Sequence, residues 1–539
     1  MTNMKNNVTG CIRAIVLAAL AAASPVGWCQ SDAPREKPLL EIKRFILVGD
    51  PNPLSQAETD AVLAPHLGEH RSLTTVQATA RALEAALRAK GYTFHRVVVP
   101  AQEPASGELR LHVIRFNLAD IAVSGNRHFT RENILRALPE LQLGKSPDVQ
   151  LVARQVGIAN ESPAKRVTVQ FKESAKRDFL DAEVKVRDVP TSQTFVGLVG
   201  GSRDSDNTIN RNTGYTRLTV GHQQSNLFDR DHAATVAYTT SPDHVEDVKQ
   251  IGVFYWAPIY PYYTTINAYF SYSDVDSGSI GVGGQSFNVS GRGQFWGVKA
   301  TYTLPKFGSV GHAVAVALDS RFFKSELGFQ GIALPANTVG SMPLSLRYSA
   351  RHEERSGTLG AFTEYLHNIS RGRADSATAY ATARLDADRN WNAWRWGADA
   401  SYQLSAGWSV SGKLRGQYAN EPLIPGEQFG LGGVGSVRGL RDRESTGDRG
   451  YTLNMEVTAP PVYAGITPYA FHDSGRREHV SPVSGIAQRD GASSLGVGFR
   501  WNWEKSLEVN VSYAHVLNGI AGGTPRGHDK MNLSLFYRF

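Results

Sequence analysis

The sequence predicts an α+β region joined to a membrane all-β region: two βααββ modules, then a transmembrane antiparallel β-barrel of about sixteen strands. Three observations predict it. A charged, then apolar, then small-residue N-terminus heads the chain. Helical and strand spacings alternate twice over residues 38–190. From residue 191 onward apolar and polar residues alternate at period two, and no apolar run is long enough to cross a bilayer as a helix.

Lys5 and Arg13 precede the apolar run 14–23, and Ser24-Pro25-Val26-Gly27-Trp28-Cys29 follows. This is the pattern of a secretory signal peptide, expected over residues 1–29 and cut between 23 and 30. The cut falls after Ala23, or after Cys29 with Gly27 two residues before it. Trp28 is too large to precede a lipidated Cys29. Cys11 and Cys29 are the sole cysteines of the chain, so no disulfide framework and no thiolate metal site is expected in the mature protein.

Residues 38–115 form the first expected module. A strand-like run, 42–48, is broken by Gly49-Asp50-Pro51-Asn52-Pro53. Residues 56–67 have helical spacing. A second helix follows, with Ser72 and Thr74 as N-cap candidates and Val76, Ala80, Leu83 and Leu87 at three- and four-residue intervals. Arg88, Lys90 and Gly91 close it with a basic last turn and a Gly C-cap. Strands are expected at 93–99 and 108–114. Residues 116–190 repeat the topology: a strand at 118–123, a helix at 130–138 with Thr130 as N-cap, a helix at 148–160, and strands at 165–171 and 180–186.

The remainder, 191–539, shows no helical period. In 495–503, Leu495, Val497, Phe499, Trp501 and Trp503 face one way and Gly496, Gly498, Arg500 and Asn502 the other. Segments 451–457, 507–513 and 531–539 alternate likewise. A soluble sandwich also alternates. Here the segments approach the roughly 9–11 residues a tilted spanning strand needs. Glu456, Glu508 and Arg500 lie on the polar face, as a water-filled lumen allows. Tyr451, Trp501, Trp503, Tyr513 and Tyr537 sit near the ends of the apolar face, where an interface girdle belongs. Aromatic and Gly content (20 Tyr, 22 Phe, 9 Trp, 52 Gly) suits such a barrel. The formal charge of +7 is mild and its Lys and Arg are spread along the chain, so no nucleic-acid partner is expected.

One stretch breaks the alternation. Residues 427–450 run Glu427-Gln428-Phe429-Gly430-Leu431-Gly432-Gly433-Val434-Gly435-Ser436-Val437-Arg438-Gly439-Leu440 and then turn charged, as a long loop between strands. Pro468-Tyr469-Ala470-Phe471-His472-Asp473-Ser474-Gly475 follows. Val437-Arg438-Gly439-Leu440 resembles the VRG(Y/F) loop tip of polypeptide-transporting outer-membrane proteins, and Phe471-x-Asp473-x-Gly475 resembles the wall-strand motif that meets it. The resemblance is closest to the TpsB transporters of two-partner secretion, the haemolysin secretion/activation type with members ShlB, FhaC and HecB. It extends to residues 97–102, 125–130 and 212–217 and to the terminal Phe539, nearly the whole mature chain. Two modules, called POTRA domains in that family, resemble TpsB rather than the insertase BamA, which carries five.

The resemblance implies that the chain sits in the cell outer membrane with its POTRA domains in the periplasm, docks an unfolded TpsA-like exoprotein (haemolysin, adhesin or toxin), and secretes it through the barrel. Activation of the client during passage is a further implied role. Implied partners are that client, the barrel-assembly machinery and outer-membrane lipid or lipopolysaccharide. Tyr537 and Phe539 are the implied assembly signal. An Arg at a Gly-flanked tip needs a partner inside a barrel, and Asp473 is the expected one. Leu440 departs from the usual aromatic, which removes the stacking contact expected there. Some family members carry an N-terminal plug helix; with about ten residues between the expected leader and the first module, none is expected here.

Gly430-x-Gly432-x-x-Gly435 matches a dinucleotide fingerprint but lacks the flanking strand and helix. His472, Asp473 and Ser474 are adjacent and alternate faces, so they form no hydrolase triad. His352-Glu353-Glu354 lacks the second His of a zinc site. No catalytic residue, metal or cofactor is expected. An assembly factor for other barrels and a passive porin remain as alternatives.

Overall fold

The computed structural model describes residues 40–539 except 71, 103–106, 202–215, 275–278, 283–284, 289–291, 326–327, 330–331, 334–336, 482–484, 486 and 505. The expected signal peptide, residues 1–29, lies outside the described residues.

The first module runs β1 (Leu40–Ile42), β2 (Arg44–Gly49), α1 (Gln56–Leu63), β3 (Gly68–His70), α2 (Leu73–Ala89), β4 (His95–Val98) and β5 (Glu108–Arg115). Its sheet has the order β2–β5–β4, and β1 pairs with β3 beside it. Ser55 and Glu58 form a capping box that starts α1. The helix expected over 56–67 stops at Leu63, because Pro65 cannot donate to it, and a 3-10 turn, Ala64–His66, takes its place. Helix α2 begins at Leu73, so Ser72 precedes it while Thr74 lies within its first turn. Val76, Ala80 and Leu83 are buried with Ile42, Leu109 and Leu111, as their helical spacing requires.

The second module runs β6 (Asn117–Ser124), α3 (Arg131–Arg136), α4 (Val149–Ala159), β7 (Lys165–Glu173) and β8 (Phe179–Asp188). Here β8 lies between β6, parallel to it, and β7, antiparallel. Thr130 and Asp148 cap the helices by accepting from backbone N–H groups in the first turns. Leu118, Ile134, Leu138, Ile158, Val167 and Val184 fill the core.

The barrel strands are β9 (Ser192–Gly201), β10 (Thr216–Leu227), β11 (His232–Thr240), β12 (Gln250–Ile259), β13 (Thr264–Ser273), β14 (Arg292–Thr303), β15 (Val310–Ser325) and β16 (Asn337–Ser341 continued by Pro343–Glu354). Then come β17 (Gly357–Asn368), β18 (Asn392–Gln403), β19 (Ser409–Ala419), β20 (Arg449–Thr458), β21 (Ile466–Glu478), β22 (Arg489–Trp503), β23 (Leu507–Asn518) and β24 (Asp529–Arg538). Each pairs antiparallel with the next, and β24 pairs with β9 from Asn532↔Gly201 to Arg538↔Phe195, closing a sixteen-stranded barrel. Closure satisfies the backbone that lipid would otherwise strand. At the seam Phe539 and Thr194 exchange backbone hydrogen bonds at 3.0 and 3.1 Å.

Alternation sorts the side chains. Leu495, Val497, Trp503, Tyr513, Met455 and Tyr537 are exposed on the outer face. Asn454, Glu456, Asp473 and Arg500 point inward and bond one another or the loop residue Arg438. A helix does occur within the barrel region: α5 (Ala377–Ala383), capped by Ser376, lies between β17 and β18. It corrects the purely β expectation. Seven residues are too few for a 3.6-residue period to stand out.

Candidate functional site in the barrel lumen

Turn parity places residues 420–448, the connection from β19 to β20, at the barrel end opposite the second module. This loop does not stay outside. Phe429–Leu431 pairs with Ser445–Gly447 as a short ribbon, and the tip between them descends into the lumen. Val437 and Leu440 are fully buried there, packed with Ala492 of β22 and Ile520. Leu440 thus fills an apolar site among aliphatic side chains.

Arg438 sits between them. Its Nε donates to Asp473 Oδ2 at 2.6 Å and its Nη2 to Oδ1 at 2.8 Å, a bidentate fork. Its backbone N–H also donates to Oδ2, at 3.2 Å. The guanidinium lies 3.3 Å above the Phe471 ring centroid, a cation–π contact. Glu456 approaches Nη1 at 3.7 Å and is itself bound by Arg500 at 2.7 Å. Asn454 donates to Asp473 Oδ1 at 2.8 Å and to the Ser436 carbonyl. Asp473 is fully buried.

The wall motif has this spacing because a strand shows every second residue to one face. Phe471, Asp473 and Gly475 share the lumen side of β21, and His472 and Ser474 take the other. A Cβ on Gly475 would come within 2.7 Å of Leu431 in the loop, so glycine there makes room for the ribbon. At the tip, Gly439 has φ +99°, a conformation that favours glycine, and a Cβ there would lie 2.8 Å from Val516. Tyr537 and Phe539 stand apart from this site, exposed at the seam.

Two further buried carboxylates hold the ends of the loop, and sequence reasoning assigned them no role. Glu427 accepts from Arg321 at 2.5 Å, Ser341 at 2.6 Å and Arg395 at 3.3 Å. Asp448 is gripped bidentately by Arg384, just after α5, and accepts the backbone N–H of Leu423 and of Val480, each at 2.8 Å. Between them Glu444 accepts from Thr524 in the β23–β24 loop, and Lys530 donates to the Leu440 carbonyl at 3.1 Å. Beside the loop a lumen cavity of about 660 Å³ is lined by Arg347, Phe362, Arg415, Gln428 and Arg443, among others. Among the described residues no group of His, Cys, Asp and Glu is arranged to hold a metal ion.

Comparison with known proteins matches this architecture. Residues 190–501 match the family model of the haemolysin secretion/activation protein ShlB/FhaC/HecB, and residues 40–115 match the ShlB-type POTRA domain. The outer membrane transporter CdiB of Dickeya dadantii (strain 3937) is 21% identical over 482 residues, covering 85% of this chain and 80% of that protein. The solved structure of CdiB from Escherichia coli superposes with a TM-score of 0.76 at 17% identity, covering 95% of this chain and 92% of that one. CdiB from Acinetobacter baumannii gives 0.67 at 16% identity, over 94% and 91%. With more than half its length matched, the chain belongs to the ShlB/FhaC/HecB family, the TpsB outer-membrane transporters of two-partner secretion, whose POTRA domains lie in the periplasm.

Proposed function

We propose that this chain captures an unfolded TpsA-type exoprotein on its periplasmic modules and secretes it through the barrel lumen past the loop held by Arg438. The observation that carries the reading is the loop itself. A Gly-rich tip folded into the lumen and tied by buried ion pairs at three points is a regulated path, where an open pore would need none of it. Each module leaves edge strands at which a client strand can add, β2 and β4 in the first and β6 and β7 in the second. Folding of the client outside supplies a driving force, since the outer membrane holds no ATP. The roles of Val437, Arg438, Gly439 and Leu440 as the lumen tip, of Phe471, Asp473 and Gly475 as its wall partner, and of Tyr537 and Phe539 in assembly belong to this proposal. So do the domain limits 38–115, 116–190 and 191–539.

Photo-crosslinkers placed at Arg347 and Phe362, beside the lumen cavity, test the route. With a client stalled in transit by a folded fusion, the expected result is crosslinks from both positions. Crosslinks from the modules alone, with none from the lumen, would contradict it.

A further inference from the structure

The second module meets the barrel at the turns 228–231 and 260–263 and at Thr303, the end of β14, and the contact is built around a buried charge. The ammonium of Lys165, the first residue of β7, lies 2.6 Å from both carboxylate oxygens of Asp231, in the turn between β10 and β11. The two side chains are 0% and 1% exposed. Tyr260, which follows β12, donates its hydroxyl to Asp231 at 2.6 Å, and its ring belongs to the module's own apolar core. Asn133 accepts from Lys165 at 2.9 Å and donates to the Asp229 carbonyl at 2.9 Å. Thr130 donates to the Asp229 side chain at 2.7 Å. Arg154 of α4 donates to the Thr303 carbonyl and lies 3.7 Å over the Tyr263 ring.

The turn is also strained. Phe228, Asp229 and Asp231 hold φ of 59°, 53° and 63°. Such values are uncommon without glycine, and for a bulky residue such as Phe228 they are outliers. Bonds from the module hold the two aspartates there, Thr130 and Asn133 to Asp229 and Lys165 to Asp231, while the Phe228 side chain is exposed. A buried ion pair contributes little net stability, because desolvation of both ions offsets their attraction. Separating the pair, however, leaves two uncompensated charges. A module that swung freely during work would carry no such contact.

We propose that Lys165, Asp231 and Tyr260 form a lock that keeps the second module seated on the barrel while a client passes. They are positioning residues of the periplasmic mouth. Beside them a cavity of about 390 Å³ is lined by Glu161 and Pro163 of the module and by Phe254, Trp256 and Lys299 of the wall. The lock holds that throat at one width. The word "client" rests on the transport reading above; the lock does not.

The test has two arms, both on the full chain. Hydrogen exchange at the amides of residues 226–231 is compared for the wild type, Lys165→Met, Asp231→Leu and the double variant. Each single variant strands one buried charge and is expected to raise exchange at least tenfold. The double variant removes both charges and is expected to return it to within about threefold of the wild type. Single variants that exchange like the wild type overturn the lock. In the second arm Thr130→Cys and Asp229→Cys are joined by a short bismaleimide in cells. Secretion at half the wild-type rate or better is expected. A tenfold loss on crosslinking, with the unlinked pair secreting normally, overturns the claim that the module stays seated. If the wild type itself exports no exoprotein, the transport reading fails while the exchange arm still decides the lock.

Discussion

Arg438→Ala removes the guanidinium that carries two of the four hydrogen bonds to Asp473 and the cation above Phe471. Asp473 stays fully buried, with two neutral donors left, the backbone N–H of residue 438 and Asn454 Nδ2. Stranding one partner of a fully buried pair costs about 3–5 kcal/mol. Arg438 retains 8% exposure and the lumen is polar, so the cost falls near the low end, about 3 kcal/mol. At about 1.4 kcal/mol per decade, the ratio of docked to undocked tip falls roughly a hundredfold. Glu427 and Asp448 still hold the loop's ends, so the barrel closes and only the tip loosens. Hydrogen exchange of residues 433–440 in purified protein reads this directly. Arg438→Ala and Asp473→Ala are each expected to raise it by up to about that factor, and the double variant by less than the sum of the two, because with both charges gone nothing buried is left stranded. Arg438→Lys recovers part, since an ammonium is a point charge and lacks the fork. Additive single effects, or wild-type exchange in Arg438→Ala, would refute the reasoning.

Gly439→Ala forces a side chain into a left-handed conformation against Val516. It is expected to cost about 1–3 kcal/mol, seen as tip exchange raised about fivefold or more with Arg438 intact. Asp448→Ala leaves Arg384 without its carboxylate, so proteolysis between residues 369 and 391, the connection carrying α5, is expected to quicken while the Arg438 site stays protected. Removing Phe539 takes away two seam hydrogen bonds to Thr194 and the terminal aromatic. The amount of heat-modifiable barrel in the outer membrane is expected to fall several-fold, and an unchanged amount would deny that residue an assembly role.

Much of the fold is legible because its signals are local. Period-two alternation in 495–503 or 507–513 fixes both the strand and the face that meets lipid. The Thr130 cap and the Val76, Ala80, Leu83 spacing are equally short-range. What the sequence hides is pairing at a distance. Glu427 meets Arg321 across 106 residues and Asp448 meets Arg384 across 64. A buried carboxylate in a loop reads like a solvated one until its partner is placed. Arg438 and Asp473, 35 residues apart, pair in the sequence chiefly through the family motif, since alternation separates Asp473 from His472 and Ser474 without saying which face turns inward. Lys165 reads as an ordinary first residue of a strand, since nothing local announces that a turn of the barrel will cover it. Strand β16 is broken at Met342, whose N–H is diverted to the Asn368 side chain at 2.6 Å, and Pro343 follows. Helix α5 is too short to show a period.

The most direct test of transport is secretion. The chain is expressed in a Gram-negative host with the large exoprotein encoded beside it, and the medium is assayed for that exoprotein. The expected result is export with the intact chain and at least a tenfold loss with Arg438→Ala at equal barrel level. An exoprotein that stays in the periplasm while the intact barrel is folded and present would contradict the claim.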